Sequence, residues 1–131
     1  MAGSPDQEMI EQHYRRGTAL KNEGQYEEAI VEFRSILELD PHHSGAHLGL
    51  GLVYGFTGKF DESIEEMEKA LQARPDWAEA HLHLGKTYCM LGMFDEARTQ
   101  FNEVMGLTTP DNPMYAEARK QLAFFAEDGV L

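Results

Sequence analysis

The chain has 131 residues, 42% of them hydrophobic and 26% charged, which suits one globular domain with a continuous core rather than a disordered chain. Its 23 acidic residues against 11 basic ones give a formal net charge of −12. That balance argues against DNA, RNA and anionic lipid as partners, because those ligands are held largely by neutralising phosphate.

No apolar run approaches the roughly 18 residues that a membrane helix needs, and no basic leader with an apolar stretch opens the sequence. No membrane insertion and a cytoplasmic location are therefore expected. The single cysteine, Cys89, cannot form an internal disulfide and reads as a small hydrophobe.

Taken in order, residues 1–8 read as a disordered lead-in, with Ser4-Pro5-Asp6 as a helix start. Three helix pairs follow, over about 10–43, 44–77 and 78–112. In the middle pair, Ala46, Leu50, Gly51 and Tyr54 mark the first helix and Ile64, Met67, Ala70 and Leu71 the second, at helical spacing. Gly24, Gly58 and Gly92 each close a first helix, since they lack the Cβ that penalises a left-handed cap. The acidic pairs Glu27-Glu28, Asp61-Glu62 and Asp95-Glu96 then fall in the first turn of each second helix, where the dipole favours negative charge.

The junctions at Pro41 and Pro75 are 34 residues apart, but the next, Pro113, comes 38 residues later, the extra four lying in Gly106–Asn112. A last helix over 113–126 starts like a fourth repeat without a second helix and reads as a cap. Residues 9–126 form one domain on this reading, and 127–131 a frayed tail.

The same 34-residue interval separates Gly17, Gly51 and Gly85; Tyr26, Phe60 and Phe94; Ala29, Ser63 and Ala97; Phe33, Met67 and Phe101; and His13, His47 and His81. Registered columns at this period are the mark of a repeat architecture. Leu50-Gly51, Tyr54, Ala70 and Pro75 in the second copy, and Leu84-Gly85, Tyr88, Ala97 and Phe101 in the third, resemble the tetratricopeptide repeat. The first copy keeps Gly17, Ala29, Phe33 and Pro41 but has Arg16 and Leu20 where Leu and Tyr are usual. The resemblance implies an all-α fold, a right-handed α-solenoid of three antiparallel helix pairs plus a capping helix. It also implies a non-enzymatic interaction module, in which the first helices line a concave groove.

Placed on those first helices, the groove-facing positions are Glu11, Tyr14, Arg15, Thr18, Lys21 and Asn22 in repeat one. In repeat two they are Gly45, Leu48, Gly49, Leu52, Gly55 and Phe56. In repeat three they are Glu79, Leu82, His83, Lys86, Cys89 and Met90, and the cap adds Lys120 and Phe124. The expected surface is apolar at its middle (Leu48, Leu52, Phe56, Leu82, Met90) and basic at Arg15, Lys21, Lys86 and Lys120. It suits a peptide or protein segment of acidic and apolar character.

Gly45, Gly49 and Gly55 weaken helix propensity by about 2–3 kcal/mol together. They are expected to let a ligand approach the helix, so that Gly49→Leu would spare stability and abolish binding. The chaperone-docking members of the family hold a C-terminal carboxylate with Lys, Asn and Arg side chains. At the matching positions this chain has Tyr14, Thr18, Gly49, Glu79 and His83, so a heat-shock-protein tail is not expected to bind that way.

The functional expectation is an adaptor or scaffold, with a small secretion-type chaperone as the narrower alternative. A self-assembling oligomer joined through Phe124, Phe125, Val130 and Leu131 is the other. No phosphate loop, paired-cysteine site or nucleophile motif appears, so no cofactor and no catalytic residue is expected. The histidine column reads as packing rather than as a metal site, because ligands of one ion lie within roughly 2.1 Å of it and helices pack about 8–10 Å apart.

Overall fold

A computed structural model describes residues 4–127. Among them are seven α-helices and no strand: α1 (Pro5–Asn22), α2 (Tyr26–Leu39), α3 (Ser44–Phe56), α4 (Phe60–Ala73), α5 (Ala78–Met90), α6 (Phe94–Leu107) and α7 (Pro113–Glu127). They form three helix pairs followed by a capping helix, the all-α architecture that the repeat predicts. The chain divides into two compact units, Met1–Ala73 and Arg74–Leu131. The boundary between them falls just ahead of Pro75.

The first helix begins earlier than the 1–8 lead-in allowed. The Ser4 hydroxyl accepts from the Gln7 backbone N–H at 3.2 Å, and the Gln7 side-chain oxygen accepts from the Ser4 N–H at 3.2 Å. With Pro5 at the first helical position, this capping box satisfies two amides that the first turn leaves orphaned. Residues 1–3 of the lead-in, and residues 128–131 of the tail with Val130 and Leu131, lie outside the described residues.

Gly24, Gly58 and Gly92 take φ values of 80°, 79° and 73°. The residue after each donates its N–H back across the helix end: Gln25 to Leu20 at 2.8 Å, Lys59 to Tyr54 at 2.8 Å and Met93 to Tyr88 at 2.9 Å. Each turn thus reverses the chain tightly enough to pair its two helices.

Within a pair, the mid-helix glycine admits the side chain of the second helix. A Cβ at Gly17, Gly51 or Gly85 would lie 2.9 Å from Phe33, 2.7 Å from Met67 or 2.7 Å from Phe101. Those three side chains are fully buried. In the first unit Phe33 anchors a core with Ala29, Ile36, Ala46, Leu50, Val53 and Tyr54. In the second, Phe101 does so with Leu82, Ala97, Val104, Ala118 and Phe125. Phe125, expected at an oligomer contact, is therefore a core residue of the second unit. It packs on Phe94 and Phe101 with ring centroids 5.4 and 6.0 Å away.

The histidine column is a hydrogen-bonding column. His13 Nδ1 meets Glu32 at 2.7 Å, His47 Nδ1 meets Glu66 at 2.6 Å and His81 Nδ1 meets Gln100 at 2.7 Å. His47 and His81 also donate from Nε2 to the carbonyls of Pro41 and Pro75, both at 2.8 Å. Each of these two histidines therefore ties a first helix both to its second helix and to the preceding junction.

Candidate functional site

In the first unit the face made by α1 and α3 is built around aromatic rings. Tyr14 packs edge-on to Phe33 (centroids 6.2 Å apart) and tilted against His43 (5.7 Å). It occupies the space left by Gly45, where a Cβ would come within 2.8 Å of the Tyr14 ring. Phe33 fills the space left by Gly49 in the same way, at 2.6 Å. These two glycines admit the protein's own side chains rather than a ligand, which corrects the expectation drawn from helix propensity. Gly55 meets only Ser63 Oγ, at an ordinary 3.4 Å.

The apolar middle of the expected groove is largely covered. Leu48 is 4%, Leu52 8% and Leu82 7% exposed, and Gly49 is buried. Nine consecutive residues of α3, Ala46 to Tyr54, are buried. A helix apolar all round is enclosed on every side and offers no free stripe. The signal was present in the sequence, since SGAHLGLGLVYGF carries no Asp, Glu, Lys or Arg at any position.

What remains accessible in this unit lies at the end of α3 and along α1. Phe56, at the end of α3, is 59% exposed and leans on Tyr26 with centroids 5.8 Å apart. Tyr14, Arg15 and Asn22 are exposed, while Thr18, Lys21, Gly45 and Gly55 are half-buried. Arg15 is engaged along its own helix with Glu11 at 3.6 Å, both well exposed, so the pair contributes little.

In the second unit Met90 is 68% and Phe124 54% exposed. Lys86 of α5 reaches Glu117 of α7 at 3.6 Å, so the two helices present one shared face. Glu117 accepts from the Gln121 side chain at 3.0 Å, and that bond, with Lys86 and Lys120 nearby, holds its carboxyl below the usual range. Lys120 is exposed, whereas His83 is half-buried and 3.7 Å from Glu79. Burial pushes the half-buried Cys89 thiol up, leaving less of the reactive thiolate.

Among the described residues no group of three or more His, Cys, Asp or Glu is placed to hold a metal ion, and no helix is long and apolar enough to cross a membrane. Acidic side chains dominate the exposed face of α4, at Asp61, Glu62, Glu65 and Glu68.

The sequence profile described as tetratricopeptide repeat matches residues 42–109, just over half of the chain, and a second profile of that description matches residues 10–43. The chain belongs to the tetratricopeptide repeat family. No curated protein sequence matches it significantly. Among solved structures, the first tetratricopeptide domain of Spaghetti (RPAP3), bound to the HSP90 peptide SRMEEVD, is 18% identical with a TM-score of 0.84, over 95% of each chain.

The second such domain of human RPAP3, in complex with the HSP70 peptide SGPTIEEVD, is 20% identical with a TM-score of 0.79. That match covers 90% of this chain and 98% of the other. An O-GlcNAc transferase mutant of Thermobaculum terrenum matches at 21% identity and a TM-score of 0.78 over 84% of this chain, which spans only 21% of that larger protein. At these identities the likeness is one of fold.

Proposed function

We propose that this tetratricopeptide repeat protein is a non-enzymatic adaptor that holds a segment of another polypeptide on the faces of its first helices. The observation that carries the reading is the exposure of large apolar side chains, Phe56 on α3, Met90 on α5 and Phe124 on α7, on helices that also carry lysines or, for α3, follow α1, which does. Lys21 lies near the end of α1, and Lys86 and Lys120 on the face shared by α5 and α7. Apolar anchors beside cations favour a ligand that alternates apolar and acidic residues. Domains of this fold from RPAP3 hold acidic peptides of that kind, which supports the class of ligand though not its identity.

The manner of holding differs from a clamp on a terminal carboxylate. Of the five positions that matter for such a clamp, Gly49 is buried against Phe33, His83 lies near Glu79, and Tyr14 and Thr18 carry no charge. Peptides selected by display against the wild-type protein are expected to be rich in Asp, Glu and apolar residues. They should lose at least about tenfold in affinity against a Met90→Glu/Phe124→Glu variant, because each substitution removes an anchor and repels an acidic ligand. SRMEEVD serves as the comparison and is expected not to saturate. Undiminished binding to the double variant in a fluorescence-anisotropy titration contradicts the proposal.

A further inference from the structure

The capping helix carries the packing columns of a repeat whose second helix is not present among the described residues. Ala118 is fully buried like Ala46 and Ala80, and it follows Ala80 by the same 38 residues that separate Pro113 from Pro75. That register puts Arg119 in the column of His47 and His81, and Ala123 in the column of Gly51 and Gly85.

In each repeat those two columns receive the second helix. The residue 19 positions after the histidine bonds it at 2.6–2.7 Å, and the residue 16 positions after the glycine covers it. On α7 the columns are open, for Ala116, Arg119 and Ala123 are exposed. Together with Pro110, Tyr115 and Lys120 they line a shallow cleft of about 250 Å³. The Arg119 side chain makes no hydrogen bond or ion pair among the described residues.

We infer that this face of α7 docks an acidic amphipathic helix of a partner protein, seated where a fourth second helix would lie. Charge and shape both specify the occupant. A cation stands in Arg119's column, where the earlier repeats meet Glu32, Glu66 or Gln100, so the incoming helix supplies a carboxylate.

Ala123 already owns the Cβ that would come within 2.7–2.9 Å of Phe33, Met67 or Phe101 at the glycine positions. The side chain placed there must therefore shift aside, which an unbranched thioether does more readily than a ring. The second helices show the pattern to look for: a small residue, a carboxylate three positions on, an apolar residue next to it, and another apolar residue three further. Ser63, Glu66, Met67 and Ala70 of α4 are its best instance. The face meets the groove proposed above only at Lys120, and Arg119 and Ala123 lie outside that groove, so either can fail without the other.

The probe is a synthetic peptide of the α4 sequence, FDESIEEMEKALQA. A lactam between its exposed Glu65 and Lys69 holds it helical, because so short a helix is marginal alone. Calorimetry is expected to show that the probe binds the 131-residue protein. Arg119→Glu should weaken binding about tenfold, a Glu66→Lys version of the probe should recover it against that variant, and Met90→Glu/Phe124→Glu should leave it unchanged.

Absence of binding, indifference to Arg119→Glu, or loss with the groove variant instead would each overturn the inference. Self-association of the free protein that Arg119→Glu abolishes would overturn it too, assigning the face to a second copy.

Discussion

Gly49→Leu is expected to destabilise the protein by more than about 3 kcal/mol, the upper end of what overpacking a close-packed core causes. The Phe33 ring is 1% exposed and wedged against two glycines, Gly17 on α1 and Gly49 on α3. Tyr14 holds one of its edges at a centroid separation of 6.2 Å. A Cβ at Gly49 would approach three ring carbons at 2.6–2.8 Å, so even the first carbon of the leucine displaces the ring. The gain in helix propensity, about 1 kcal/mol, is too small to compensate. Gly55→Ala is the control, since its Cβ would meet only Ser63 Oγ at 3.4 Å and its propensity gain should appear as slight stabilisation. Urea denaturation followed by circular dichroism reads both, and a Gly49→Leu protein as stable as wild type would show that Phe33 does not need that space.

His47→Ala is the second large effect, expected at about 2–4 kcal/mol, because it leaves a carbonyl and a carboxylate without their partner. His47 is buried and faces an acceptor at each ring nitrogen, Glu66 at 2.6 Å and the Pro41 carbonyl at 2.8 Å. His13 makes one such bond, to Glu32 at 2.7 Å, and its side chain is 21% exposed. His13→Ala should therefore be the milder change, at about 1 kcal/mol. The contrast checks whether the column works through the junction carbonyl, and equal losses for the two variants would argue that it does not.

The repeat was legible because its determinants are local. Gly24, Gly58 and Gly92 need positive φ, and Gly17, Gly51 and Gly85 meet a side chain of their own repeat 16 residues on. Both requirements leave a glycine at a fixed interval in the sequence. The groove was less legible because its determinants cross between helix pairs. Gly49 is filled by Phe33 and Gly45 by Tyr14, each from the preceding pair, and nothing near the glycines in sequence announces those partners. Helical spacing and the repeat resemblance together put Leu48 and Leu52 on an open face, whereas packing buries both. The absence of charge from α3 was the better guide, since an exposed face of 13 residues would have carried some. Phe125 departs from the oligomer-contact expectation for a related reason: it is core only because α7 packs on α6, bringing it to Phe94 and Phe101.

The central claim is that a polypeptide ligand lies on the first-helix faces, and amide chemical shifts of the labelled protein test it most directly. On titration with a display-selected acidic peptide, the largest changes are predicted at Lys21, Gly55 and Phe56 in the first unit. In the second unit they should fall at Lys86, Met90, Lys120 and Phe124. Changes concentrated instead on the second helices, at Val31, Glu65, Glu68 or Glu103, would contradict the account.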